Sequence, residues 1–137
     1  MRSSAIAIAI GCFVFSSLLL FNPANSYSED PIYITIDIAP NVLNIQSQGT
    51  VVTIHTDIAY YSVEVYSVYL NGIAIQSWKA DNRGNFVAKF SMDTVKSLNG
   101  LVIGDYNTLQ IVGLTKGGVP FVGEEDILVI DVLPQGR

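Results

Sequence analysis

The most constraining feature of this chain is an alternation of apolar and polar residues near its start. Isoleucine occupies every second position from Ile32 to Ile38, with Tyr, Thr and Asp between. Side chains of an extended chain alternate between two faces, so this period of two predicts a β-strand with one buried face. We therefore expect the isoleucine face to be core. A second strand follows, with Val52, Ile54 and Ile58 predicted to point inward.

Turn-forming residues separate the other strand candidates. Pro40 and Asn41 end the first strand, and Asn71-Gly72 is a hairpin signal. The remaining predicted strands cover residues 42–45, 62–70, 73–78, 86–92, 109–114 and 127–133, and residues 93–99 are predicted to form one helical turn or a loop. Seven or eight short strands without a long amphipathic helix predict an all-β fold, an antiparallel sandwich or barrel. We expect a two-sheet sandwich for this length.

The first 26 residues resemble a secretory signal peptide. Arg2 supplies an early positive charge, an apolar stretch runs from Ala5 to Phe21, and an A-x-S ending follows. This pattern predicts cleavage after Ser26, which leaves residues 27–137 as one β-sandwich domain in a secreted, periplasmic or cell-surface protein. Two alternatives stay open, an uncleaved membrane anchor and a lipid attached to Cys12.

The composition of residues 27–137 excludes several function classes. The single cysteine of the chain lies in the predicted signal peptide, so thiol nucleophiles, thiolate zinc sites and redox chemistry are excluded. Of the seven basic residues only Arg2 lies in that segment, which leaves six basic against twelve acidic residues. Nucleic acid needs a clustered basic face. We therefore expect no nucleic-acid partner, and no membrane contact after signal cleavage.

His55 is the only histidine and the first candidate for catalysis. Its predicted position is on the outward side of a strand, two residues from Asp57. A serine triad also needs a nucleophile and an oxyanion hole, and the chain contains no G-x-S-x-G motif. A small sandwich leaves little room for the cleft that a carboxylate pair needs in sugar hydrolysis. We therefore predict that the protein is not an enzyme.

Two segments offer oxygen ligands for calcium. Asp81–Asn85 lacks the EF-hand spacing, because Arg83 occupies the third position, and is predicted to be a hairpin turn. The acidic cluster at residues 124–126 could join Asp105 and Asn107 if their loops converge. Such a cluster before a strand is more often a solvated turn that discourages edge pairing. We predict no metal or cofactor, with calcium as the open alternative.

Aromatic residues are dense between positions 60 and 78. Trp78, Tyr60 and Tyr61 are candidate ligand-binding residues, because exposed rings stack on sugars and also suit protein partners. The alternative is that Trp78 fills the core. In an extended chain only one of the adjacent Tyr60 and Tyr61 can point inward. An exposed, coplanar pair of rings would indicate a carbohydrate site.

The opening of the predicted domain resembles a known class of module. The run Ile36-Asp37-Ile38-Ala39-Pro40, then Leu43-Asn44, then Ser47-x-Gly49 is similar to the I-D-I-x-P, L-N, S-x-G opening of small immunoglobulin-like modules in secreted and surface proteins of bacteria and archaea. Residues 68–72 and 121–124 are similar to such modules too. The resemblance implies an immunoglobulin-like β-sandwich with an accessory, non-catalytic role.

These observations together predict a secreted, non-catalytic module with a surface, adhesion or structural role. Its expected partner is an extracellular protein or a glycan. One alternative is a carbohydrate-binding module that uses Trp78, Tyr60 and Tyr61. Another is a subunit of an extracellular fibre, in which the segment 32–38 adds to a neighbour's sheet edge.

Overall fold

A computed structural model describes residues 30–133 of the chain. The predicted signal peptide, residues 1–26 with Cys12, lies outside the described residues. Ten strands occur within them: β1 Ile32–Tyr33, β2 Ile36–Ala39, β3 Val42–Asn44, β4 Val51–Ala59, β5 Val63–Leu70, β6 Ile73–Ala74, β7 Ser77–Ala80, β8 Asn85–Ser91, β9 Asp105–Thr115 and β10 Pro120–Ile130. A 3-10 turn, Tyr60–Ser62, precedes β5, and helix α1, Met92–Lys96, follows β8. The helix confirms the helical alternative predicted for residues 93–99.

The strands form two sheets. One has four strands in the order β2-β4-β8-β7, and the other has six, in the order β1-β10-β9-β5-β6 with β3 also paired to β10. The predicted all-β class is confirmed. The prediction of purely antiparallel pairing is wrong, because β1 and β3 both run parallel to β10. The strand count is also higher than predicted, because the predicted segments 32–38 and 73–78 each divide between the two sheets.

The first segment of the described chain contributes to both sheets. β1 pairs with β10, β2 pairs with β4 in the other sheet, and β3 returns to β10. The isoleucine face is therefore core only in part. Ile36 and Ile38 are buried, but Ile34 is half-buried and Ile32 is 42% exposed. The alternation of apolar and polar residues continues without a break where the chain changes sheet. The sequence pattern therefore does not reveal that residues 32–33 and 36–38 belong to different sheets.

One hydrophobic core is built by both sheets. In β4 the predicted inward residues Val52, Ile54 and Ile58 are buried, as is Thr56, whose hydroxyl donates to the Phe86 carbonyl at 2.6 Å. Burial of each large apolar side chain stabilises the folded state by roughly 1.5–3 kcal/mol. The largest fully buried side chains come from both sheets and include Phe86, Phe90, Ile38 and Ile54 from one and Phe121, Leu43, Leu70, Leu109, Ile111 and Ile127 from the other.

The predicted hairpin at Asn71-Gly72 is confirmed, but its second strand is shorter than predicted. Both turn residues have positive φ, 46° and 84°, and Leu70 lies opposite Ile73. Ile73–Ala74 pairs with β5, and the Ile75 N–H still donates to the Val68 carbonyl at 3.2 Å. The chain then changes sheet, and Ser77–Ala80 pairs with β8. The predicted single strand 73–78 is therefore wrong, because a non-local partner, β8, competes for its second half.

The acidic cluster at residues 124–126 lies inside a strand and is not a turn. β9 and β10 form a long hairpin whose register runs from Asp105 opposite Val129 to Leu114 opposite Pro120. The prediction that the last strand begins at Ile127 is thus wrong. Cross-strand pairing with polar residues of β9 offsets the low strand propensity of the acidic residues.

Two residues of β10 accommodate the first segment where it changes sheet. A Cβ atom on Gly123 would lie 2.8 Å from Ile36 Cγ2 and 3.0 Å from the Ile34 carbonyl oxygen, so only glycine permits this approach. Two residues further, the Ile38 N–H donates to Glu125 Oε1 at 2.6 Å. The carboxylate thereby satisfies an N–H of β2, an edge strand of the four-stranded sheet.

We expect Gly123→Ala to lower the free energy of unfolding by about 1–3 kcal/mol, since the added methyl group overpacks the crossing segment. Chemical denaturation followed by circular dichroism measures the effect. Gly117→Ala is the matched control, because the atom nearest to its Cβ would be Thr115 Oγ1 at 3.8 Å. Equal stability of the two variants would show that the crossing does not depend on glycine.

Candidate functional site

The aromatic residues predicted as a ligand site do not form one surface. Trp78 is half-buried and packs against the core, and its ring meets Tyr66 at a centroid distance of 5.3 Å and an interplanar angle of 81°. Tyr60 is also half-buried, with its ring 6.4 Å from Phe86, whereas Tyr61 is 77% exposed. The pair that includes Trp78 is therefore perpendicular, and it offers no flat platform.

Local pairing explains these positions. Trp78 lies opposite Ala88 of β8, which is a buried inward position, so the indole points to the inner side of its sheet. Tyr60 and Tyr61 occupy a 3-10 turn and not an extended strand. One tyrosine still points toward the core and the other toward solvent, which agrees with the sequence expectation through a different local geometry.

The outer face of the four-stranded sheet holds His55 in a shallow, charged hollow. His55 is exposed and lies opposite Asp37 on one side and Val87 on the other. The hollow has a volume of about 220 Å³, and Asp57 and Asp81 also line it. Within residues 30–133 no three His, Cys, Asp or Glu side chains are grouped so that they could hold a metal ion.

Two carboxylates of this hollow already bind backbone. Asp57 Oδ1 accepts a hydrogen bond from the Thr35 N–H at 3.0 Å. Asp81 Oδ1 accepts from the N–H groups of Arg83 and Asn85 at 2.8 and 2.9 Å, which confirms the predicted turn at residues 81–85. The hydrogen bonds from Asn85 and Arg83 hold the pKa of the Asp81 carboxyl below its ordinary value of 3.8. Both carboxylates therefore stabilise the local backbone.

The two sheets differ in the apolar surface that they expose. No large apolar side chain in the strands of the four-stranded sheet is exposed. The six-stranded sheet has six such side chains on its outer face: Tyr33, Val42, Tyr69, Tyr106, Val112 and Leu114. A concentration of exposed apolar side chains on one face is typical of a binding surface.

A row of apolar side chains crosses four strands of this face. Tyr33 lies opposite Val122, Val122 opposite Val112, and Val112 opposite Tyr69. Since neighbours along a strand point to opposite faces, the burial of the adjacent residues shows that the row points outward. Those buried residues are Phe121, Ile111 and Leu70.

Two hollows indent the same face beside this row. The first, of about 370 Å³, is mainly apolar and includes Val112, Leu114 and Pro120; we call it the apolar hollow. The second, of about 400 Å³, includes Tyr33, Gln110 and Glu124; we call it the Tyr33 hollow. Val122 lines both, so the two hollows are neighbours.

An irregularity in β5 shapes the apolar hollow. The register between β5 and β9 shifts between Val112 and Leu114. There the Ser67 hydroxyl replaces a strand partner: it accepts from the Leu114 N–H at 2.8 Å and donates to the Glu64 carbonyl at 2.6 Å. Ser67 lines the hollow that the bulged strand leaves.

The charged side chains on this face are all negative. Gln110 Nε2 donates to Glu124 Oε2 at 2.7 Å, and Thr108 Oγ1 donates to Asp126 Oδ1 at 2.6 Å. Both are directly opposed cross-strand pairs. The six strands of this sheet contain no lysine or arginine, so these carboxylates have no basic neighbour in their own sheet.

Sequence reasoning missed this face, although a signal for it was present. Val112 and Leu114 occupy positions between the inward residues of their strand, and Pro120 and Val122 do the same in the next. Apolar residues on both faces of a strand indicate that both faces are covered or bind a partner.

Three comparisons with known proteins add no relative. No protein-family model matches the chain, and searches of the curated proteins and of the solved structures found no significant match. Within residues 30–133, no helix has the length and apolar character that a membrane span requires.

We expect Asp81→Asn to remove a pH-dependent part of the stability. The folded-state pKa of Asp81 is depressed, so its contribution is present above the unfolded-state pKa and is lost as pH falls through the folded-state value. Wild type should have a higher free energy of unfolding than the variant at neutral pH, and this difference should disappear in strong acid. Urea denaturation across this pH range tests it; a gap that does not change with pH would contradict the assignment.

We expect Trp78→Ala to lower the free energy of unfolding by about 1.5–3 kcal/mol, because it removes a half-buried ring packed on the core. Tyr61→Ala should change it by less than about 0.5 kcal/mol, since Tyr61 is exposed. Denaturation of both variants gives the comparison. If Trp78→Ala left stability unchanged, a ligand role for the indole would regain support.

Proposed function

We propose that this protein is a secreted or cell-surface, non-catalytic immunoglobulin-like module that binds a protein partner through the outer face of its six-stranded sheet. The proposal depends chiefly on one observation: exposed large apolar side chains of the strands are concentrated on that face and missing from the strands of the other sheet. Such a module would serve in adhesion or as a structural component of the surface.

The strand order supports the immunoglobulin-like part of the proposal. Immunoglobulin constant-type sandwiches have strands A, B, E and D in one sheet and C, F and G in the other. If β2, β4, β5, β7, β8, β9 and β10 are assigned A to G, the observed orders become A-B-E-D and G-F-C. β6 then extends the second sheet beside C, and β1 and β3 are additional pieces beside G.

The dimensions of the apolar row suit a protein partner. Four strands at a spacing of about 4.8 Å make the row roughly 14 Å wide. Protein interfaces combine a central apolar cluster with a polar rim that excludes water. Gln110 and Glu124, with Thr108 and Asp126, form a polar band beside the row on β9 and β10.

The two alternative functions have less support. A sugar platform needs exposed rings that lie flat, whereas Trp78 is half-buried and perpendicular to Tyr66. Strand addition needs a free segment, whereas residues 32–39 already pair with β10 and β4. Glu125 also occupies the Ile38 N–H, which blocks a donor at the β2 edge.

Site-specific photo-crosslinking in the native host tests the proposal. A benzophenone amino acid replaces Tyr69, on the apolar row, or Tyr61, an exposed tyrosine outside that sheet, in the full-length chain. We expect a discrete protein adduct from position 69 that disappears in a Leu114→Ser background, and none from position 61. Adducts at position 61 alone, or equal adducts at both positions, would argue against this face as the binding surface.

A further inference from the structure

The Tyr33 hollow combines three groups that recognise cations. Tyr33 is 80% exposed, so its ring face is open to a cation–π contact. Glu124 supplies a carboxylate, and Gln110 holds one of its oxygens, Oε2, at 2.7 Å. Among the hydrogen bonds of residues 30–133 the other oxygen, Oε1, accepts none, so it can receive a donor from a ligand.

The charge of the surrounding face also favours a cation. Glu64, Glu124 and Asp126 lie at solvent-exposed positions on β5 and β10, the two strands that flank β9, and the strands of this sheet contain no lysine or arginine. The basic residues described by the structure belong to the four-stranded sheet, the turns and the helix: Lys79, Arg83, Lys89, Lys96 and Lys116. A partner therefore meets an acidic field that selects positive groups.

The apolar hollow lies beside the Tyr33 hollow along the same strands. Gln110, in the Tyr33 hollow, is two residues from Val112 and four from Leu114, which line the apolar hollow. At about 3.4 Å per residue, these lining residues lie roughly 7–14 Å apart along β9. An extended partner segment would fill both with side chains two or four positions apart, because side chains three positions apart point to opposite faces.

A second copy of this chain fits these features poorly. Contact between two identical six-stranded faces would bring Glu124 and Asp126 of both copies together with no lysine or arginine in the strands of either face, and like charges at an interface are costly. The four-stranded face does present basic residues, including Lys79 and Lys89. Its strands, however, expose no large apolar side chain to fill the apolar hollow.

From this combination we infer that the Tyr33 hollow binds an arginine or lysine side chain of a different protein, while the apolar hollow takes an apolar side chain two or four residues away in the same extended partner segment. The inference rests on the proposed function, since it names the chemistry of the partner for that face. Glu124 and Tyr33 contact the cation, and Val112 and Leu114 contact the apolar side chain.

Selection of random phage-displayed peptides on protein produced from the full-length chain tests this inference. Enriched peptides are synthesised, and their affinities are measured by fluorescence anisotropy. We expect each to contain a basic residue two or four positions from an apolar one. Replacing that basic residue by glutamine, or Glu124→Gln in the protein, should weaken binding at least about tenfold. The two changes together should weaken it no further, because they remove the same contact.

Matched control variants separate this contact from general effects. Asp37→Asn removes one exposed carboxylate from the opposite face and should change affinity less than about twofold, which screening allows for a distant charge. Leu114→Ser should weaken binding at least about tenfold through the apolar hollow. Val102→Ser, at a similarly exposed position in the loop before β9, should have no effect.

The outcomes distinguish the inference from the proposed function. Peptides that lose affinity with Leu114→Ser but lack a basic residue, or ignore Glu124→Gln, would overturn the cation site and leave the binding face intact. Peptides insensitive to both variants bind elsewhere and would overturn both proposals, as would a selection without specific binders. If Glu124→Gln and Leu114→Ser each weaken binding and the control variants do not, the result supports the inference and the proposed function.

Discussion

The architecture depends on how the last strand, β10, is covered along its outer edge. The first segment pairs with one end of β10, leaves for the other sheet, and returns to the far end of β10. Gly123 permits the close crossing, and Glu125 satisfies the Ile38 N–H that the crossing leaves unpaired within its own sheet. Because this segment belongs to both sheets, it joins them at one edge in a part of the chain that has no cysteine for a disulfide.

The same crossing shapes the candidate site. Ile34 and Gly123, which meet where the segment leaves β10, line the Tyr33 hollow together with Tyr33, Gln110 and Glu124. The hollow therefore forms where the segment changes sheet, and sites built on strands hold ligand-binding groups more precisely than sites on loops. The proposed surface thus lies on strands that the core holds in place, and not on loops.

Local patterns predicted the fold well wherever a strand keeps one partner sheet. The inward residues of β4 and the turn at Asn71-Gly72 follow from spacing and from the φ preferences of Asn and Gly. Two of the errors lie at residues 73–78 and 124–126. In the first case the chain changes sheet in mid-strand, and in the second the acidic residues are held in a strand by opposite partners on β9. Both depend on contacts between distant parts of the chain, which a local pattern does not contain.

The sequence by itself determined the all-β class, the main turns and most of the inward residues, because alternation and turn chemistry are properties of neighbouring residues. It also contained the acidic composition and the aromatic candidates, but not their arrangement. Only the tertiary structure decided that Trp78 faces the core edge, and that Tyr33, Val122, Val112 and Tyr69 form one outward row. The reason is that this row joins four strands whose order and register are set by packing across the whole domain.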